Sequence, residues 1–302
     1  MPLRLQLPST QTAWATLGAA FVFVAALWLG LNRLPTQAQE ANAPKEIVNS
    51  LDMKFALIPK GKFLMGSPKS EQHRGDDEDQ HEVVMTQNFY LGIHEVTQGQ
   101  YERIMGNNPS CFTPTGAGKA KVKARETTQS PVECVTWPQA VAFCERLAAL
   151  AKEKEARRSY RLPYEAEWEY ACRAGTTTAL HYGNVVDSDS ANFNGLSPYG
   201  LGRGGPFLRT TGRVGEHPAN KFGLYDMHGN VMEWCYDWYA ADYYKNCPRE
   251  DPVGPAVGTE NVTRGGSWSN SGKACRSAVR TKLAPHESHY GLGFRVVLVQ
   301  GK

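Results

Sequence analysis

Asn220–Tyr239, NKFGLYDMHGNVMEWCYDWY, decides how the rest of the chain is read. It mixes aromatics, glycines and carboxylates too evenly for an amphipathic helix or an alternating strand. Asp226 and Glu233 put acidic oxygens at both ends of a short segment, with Gly229, Asn230 and Val231 between them. Gly229 lets the backbone turn sharply, so that carbonyls can point inward. Two carboxylates and backbone carbonyls on a tight loop suit a hard cation such as Ca²⁺. The same residues also read as a surface turn entering a core strand, with Trp234, Tyr236, Trp238 and Tyr239 packed beneath it.

Working outward, glycine and proline are plentiful in the 302 residues and long periodic runs are few. That predicts a loop-rich α+β domain with few short helices and short antiparallel strands, not a helical bundle. The net charge is +3 without a long basic block, so no nucleic-acid footprint is present. Walker loops, dinucleotide fingerprints and G-x-S-x-G elbows are also absent. Ala13–Leu31 is an uncharged run, preceded by Arg4 and followed by the small-residue site Thr36–Ala38. This predicts export, with residues 1–38 as a signal peptide or membrane anchor. Residues 39–50 then read as a polar linker and 51–302 as one folded domain, secreted, periplasmic or membrane-associated through its N-terminal segment.

Phe55–Met65 reads as two short strands around a turn at Ile58–Gly61. The acidic loop EQHRGDDEDQHE, 71–82, reads as solvated, with His73, Asp76 and His81 as the residues a metal would use. Thr97 with Gln100, and Thr136 with Gln139, form capping-box patterns, and Gly106 ends the first of these helices. Trp137, Val141, Cys144, Leu147 and Ala151 line one face of the second. Residues 107–130 between them read as a long surface loop. A third helix covers roughly Tyr164–Ala174. Its Glu165, Glu167 and Glu169 alternate and cannot share one face, so they read as helix-end and salt-bridge residues. Residues 179–212 read as an excursion of turns. His286 and His289 lie in a loop. The seven cysteines contain no C-x-x-C pair, which argues against a zinc ribbon; an exported chain would allow disulfides among them.

Seven blocks in order resemble the formylglycine-generating enzyme, or sulfatase-modifying factor, family. They are FALIPKGKFLMGS (55–67), YLGIHEVTQGQYERIMG (90–106), SPVECVTWPQAVAFC (130–144), YRLPYEAEWEYACRAGT (160–176), GLYDMHGNVMEW (223–234), RGGSW (264–268) and GLGFRVV (291–297). The resemblance runs from about Phe55 to Val299 and implies a C-type-lectin-like α+β fold. It implies one calcium site on Asp226, Gly229, Val231 and Glu233. A second implied calcium site uses Asn192 and Phe193, but no acidic partner for it stands before Arg213. The activity it implies is oxidation of a sulfatase cysteine to formylglycine, with O₂ and a copper ion held by two cysteines. Counting from RGGSW, Cys275 stands at the second cysteine position and Asn270 at the first. An amide oxygen does not replace a thiolate on Cu(I), which speaks against copper. Cys275 is either catalytic or a structural thiol, and Ser267 either an active-site hydroxyl or a turn residue. Two functions stay open. One is an oxidase-like enzyme acting on a protein client such as a sulfatase. The other is a non-catalytic, Ca²⁺-stabilised scaffold for a protein or glycan.

Overall fold

The computed structural model describes residues 44–123 and 125–301. The expected leader or anchor, residues 1–38, lies outside them. Among the described residues no helix is long and apolar enough to cross a membrane. The folded unit starts earlier than expected, because Glu46–Val48, inside the stretch read as linker, forms a first strand, β1. It pairs antiparallel with β2 (Lys54–Ile58), placing Ile47 against the core.

β2 and β3 (Gly61–Met65) flank the expected turn. β4 (His81–Met85) pairs with β3, and β5 (Phe89–Gly92) returns beside β2. Helix α1 (Gln98–Met105) begins at Thr97 with a complete capping box and ends at Gly106 in the left-handed conformation. Gly106 adopts that conformation at no steric cost. Helix α2 (Trp137–Ala148) carries the second capping box on Thr136 and Gln139. It stops short of Ala151, which opens a separate turn, α3 (Ala151–Glu155). Strand β6 (Arg158–Arg161) follows, then α4 (Glu165–Arg173).

All nine residues of α4 are buried, which its charged sequence would not permit without partners. Glu167 takes two hydrogen bonds from Arg161, both at 2.6 Å. Glu165 takes two from Arg280, and Glu169 binds Arg173 and Arg264. Tyr164 stands at the N-cap and supplies no side-chain oxygen. Asp237 accepts the Glu165 N–H at 2.7 Å instead, so the cap comes from another strand.

From Ala174 to Val231 there is no regular helix or strand. The excursion is held by small pairings such as Val186 with Tyr199 and by a core of Ala179, Leu180, Phe193 and Tyr199. β7 (Met232–Trp238), α5 (Tyr243–Asn246), β8 (Asn261–Arg264), β9 (Thr281–Leu283), β10 (Leu292–Gly293) and β11 (Val297–Gln300) complete the chain. One sheet runs β1-β2-β5-β11-β6, entirely antiparallel, and a second runs β10-β7-β8-β9. The last strand thus sits inside the first sheet, between β5 and β6. GLGFRVVL, 291–298, takes part in two short strands, and Arg295 lies in the break between them.

The acidic loop is anchored, which its charge alone did not reveal. Glu78 and Glu71 both grip the buried Arg276. All seven cysteines are free thiols. Cys144, on the apolar face of its helix, and Cys172 are small core residues.

Candidate functional site

Asp226, Gly229 and Asn230 all take left-handed backbone angles, with φ of 56°, 102° and 56°. Aspartate and asparagine tolerate this region better than other side chains. Gly229 has no substitute, because a Cβ there would lie 2.3 Å from the Asn192 carbonyl oxygen. The resulting loop is tied to two other segments. The Gly229 N–H donates to the Gly265 carbonyl at 2.9 Å, and the Asn230 N–H to the Asn192 carbonyl at 2.8 Å. The Trp268 N–H returns to the Asn230 carbonyl at 2.9 Å. Three stretches singled out in the sequence, around Asn192, Asp226–Glu233 and Arg264–Trp268, therefore form one knot.

Three buried carboxylates sit in it: Glu95, Asp226 and Glu233. Glu233 takes Arg295 Nε and Nη2 at 2.6 and 2.7 Å and Trp168 Nε1 at 2.8 Å. Glu95 accepts from Asn230 Nδ2 at 2.9 Å and from the Val231 N–H at 3.2 Å. Burial pushes its carboxyl well above the usual range, and the charges of Asp226 and Glu233 add to that. Asp226 accepts the Gly215 N–H at 2.6 Å, and burial pushes its carboxyl up to about 6. Arg295 is the cation bound directly within this group, so negative charge is in excess.

Hard oxygen donors and surplus negative charge suit a hard dication. The side chains alone do not build a cage: among the described residues no group of three or more histidine, cysteine, aspartate or glutamate side chains is set to hold a metal. Glu233, expected as a ligand, already has both oxygens on Arg295. An ion here would rest on Asp226 and on carbonyls such as those of Gly229 and Val231. Glu95, which the sequence reading missed, adds a third buried carboxyl to the group.

Asn192 and Phe193 occupy the expected turn. Asn192 Nδ2 donates to the Thr210 carbonyl at 3.1 Å and to Asn230 Oδ1 at 3.2 Å. Its own Oδ1 is buried without a partner, as an oxygen donor awaiting a cation would be. Phe193 buries its ring in the core of the excursion. An acidic residue, Glu216, stands just beyond Arg213 and close to this turn. A Cβ built on Gly212 would be 2.9 Å from Glu216 Oε2 and 3.5 Å from Asn192 Nδ2.

The RGGSW turn places its functional candidates differently from a two-thiol site. Gly265 and Gly266 are both left-handed, with φ of 92° and 69°. Ser267 is buried; its Oγ donates to Asn270 Oδ1 at 2.7 Å and lies 3.1 Å from Ser269 Oγ. Cys275 lies behind the glycines, so that a Cβ on Gly266 would fall 2.7 Å from its sulfur. It is fully buried, and burial pushes its thiol up to about 12. Its carbonyl accepts from His228 Nδ1 at 2.7 Å. The structure thus joins Ser267 to Asn270 and seals Cys275 into the core as a neutral thiol. A buried, protonated sulfur, with a hard amide oxygen at the other expected position, does not fit Cu(I).

Comparison with known proteins places this geometry in context. A family model described as a sulfatase-modifying factor enzyme 1-like domain matches residues 37–299. The serine/threonine-protein kinase pkn1 of Chlamydia caviae is 32% identical over 285 residues, covering 88% of this chain but 41% of that protein. The chain therefore spans less than half the length of that relative. The formylglycine-generating enzyme of Bos taurus is 27% identical over 308 residues, covering 85% of this chain and 79% of its own. Among solved structures, PvdO from Pseudomonas aeruginosa superposes with a TM-score of 0.69 at 27% identity, covering 85% of this chain and 98% of that one.

Proposed function

The chain belongs to the sulfatase-modifying factor enzyme family, and from that premise we propose that it is a member without copper oxidase chemistry, a rigid scaffold that engages a protein client. The observation that carries this reading is the Ser267–Asn270 hydrogen bond in place of a second thiol, with Cys275 closed off beneath Gly266. The family description names a protein, a sulfatase, as the thing modified, which supports a protein client over a glycan. The whole-protein activity of the longer kinase relative is not carried over, because the match covers a minor part of it. The test is a Cu(I) competition against a chromophoric chelator, run on the purified protein with its thiols reduced and counted. No retention of copper is expected. One equivalent held tightly, and lost in Cys275→Ser, would reject the scaffold reading.

Calcium at the Asp226 loop is part of the same proposal and has a distinctive pH signature. The Asp226 carboxyl titrates at about 6 in the fold, above an unfolded value near ~4. A raised carboxylate favours the fold while protonated, so its contribution is full below pH ~4 and is lost as pH rises through about 6. At pH 7 without calcium the ionised group therefore costs about 3 kcal/mol. Asp226→Asn is expected to stabilise the protein by about that much in EDTA at pH 7 and to change it little at pH 4. Calcium at a hundredfold excess over Kd should cancel that difference, since only the wild type gains about 3 kcal/mol. Urea unfolding of both proteins in EDTA and in Ca²⁺ measures this. Identical curves in the two media would reduce the loop to a turn.

A further inference from the structure

Cys111 and Cys134 are two thiols to which the copper-site count from RGGSW gives no role. They lie 23 positions apart, at either end of the polar loop between α1 and α2. Both are part-exposed, unlike the buried Cys144, Cys172, Cys235 and Cys275. Glu133 brings them together. Its Oε2 accepts the Cys111 N–H at 3.0 Å and the Cys134 thiol at 3.0 Å, while Oε1 holds the Phe112 N–H at 2.8 Å. One carboxylate oxygen thus stands between the Cys134 sulfur and the Cys111 backbone, within two hydrogen-bond lengths. The backbone at Cys134 is fixed as well. Its φ is 63°, in the left-handed region that costs a β-carbon residue energy, and its N–H is held by the His289 carbonyl at 3.1 Å.

We propose that Cys111 and Cys134 are an oxidisable pair, forming a disulfide by exchange with a disulfide-bearing oxidant such as oxidised glutathione. The Cys111 thiolate attacks one sulfur of the oxidant and releases one thiol. The Cys134 thiolate then displaces the second thiol from the mixed disulfide. Two S–H protons leave, one S–S bond forms in the protein, and the oxidant is reduced to two thiols. Burial and then the Glu133 charge push both protein thiols upward, Cys134 strongly, so the exchange should quicken with alkaline pH.

The bond would lock a functional surface. Phe112, next to Cys111, meets the Trp268 ring edge-on at 5.4 Å, and Val122 and Phe207 complete that cluster. Trp268 directly follows Ser267. Oxidation would therefore fasten the 107–130 loop over the RGGSW turn, and reduction would release it.

The experiment treats the full reduced chain with oxidised glutathione at mildly alkaline pH, blocks remaining thiols in denaturant, and maps non-reduced tryptic peptides by mass spectrometry. The expected result is a cross-linked peptide pair containing Cys111 and Cys134, lighter by two hydrogens. Free thiols should fall from seven to five. In Cys111→Ser and Cys134→Ser the linked pair should vanish. Limited trypsin digestion gives a second reading. Cleavage between Lys119 and Arg125 should slow on oxidation of the wild type and stay unchanged in Cys111→Ser. Both cysteines remaining free, carrying separate glutathione adducts, or bonding to other cysteines would overturn the proposal.

Discussion

Arg295→Met is expected to lower stability by about 3–5 kcal/mol, the cost of removing one partner from a buried ion pair. Arg295 is fully buried and binds Glu233 through two nitrogens, and it also donates to the Gly92 carbonyl at 3.0 Å and the Tyr225 carbonyl at 2.9 Å. Methionine keeps much of the volume and none of the charge. Glu233 would then share the interior with Glu95 and Asp226 without its bound guanidinium. Glu233→Leu combined with Arg295→Met should recover most of the loss, because a paired apolar replacement leaves no buried charge behind at that contact. Urea unfolding of the two proteins measures both effects. A single-variant loss below about 1 kcal/mol would mean that the pair is solvated rather than structural.

The parts of this fold that the sequence revealed are those in which neighbours act on neighbours. Thr97 with Gln100 and Thr136 with Gln139 are three residues apart, and both boxes formed. The Phe55–Met65 turn and the excursion of turns over 179–212 were legible for the same reason. What stayed hidden depends on contacts made across the chain. Asp237 caps a helix that begins 72 residues earlier. Arg276 reaches back 198 residues to Glu78, turning a loop that looked solvated into an anchored one. Glu95 sits in YLGIHEV, where it reads as an ordinary acid before a helix, yet it binds Asn230 from 135 residues away. A lone acid inside an otherwise apolar run next to a capping box was the available signal. The resemblance supplied Asp226, Glu233 and Cys275, but not the fact that Arg295 occupies both Glu233 oxygens. Side-chain pairing of that kind has no spacing to read.

The last expected result concerns chemistry: the unaltered protein should not convert the cysteine of a CxPxR-type sulfatase peptide to formylglycine in the presence of Cu(I) and O₂. Two thiolates grip Cu(I) because both are soft, deprotonated and close together. Here Asn270 offers an amide oxygen already accepting a hydrogen bond from Ser267, and the Cys275 thiol stays protonated at neutral pH. Mass spectrometry of the peptide, read for loss of thiol and gain of aldehyde, decides the matter. Turnover by the wild type that disappears in Cys275→Ser would make Cys275 catalytic and reject the scaffold reading. Asn270→Cys separates frame from ligand. The substitution releases the Ser267 hydroxyl and adds a second sulfur beside the glycine turn. Copper retention and turnover appearing together in Asn270→Cys would show that the oxidase frame is intact and lacks one ligand. Copper retention without turnover would show that the surrounding surface no longer presents this peptide to the metal. If Asn270→Cys binds no copper at all, the obstacle is the burial of Cys275 beneath Gly266. The geometry favours that last outcome, because a new thiol at 270 does nothing to open the side of the turn on which Cys275 is sealed.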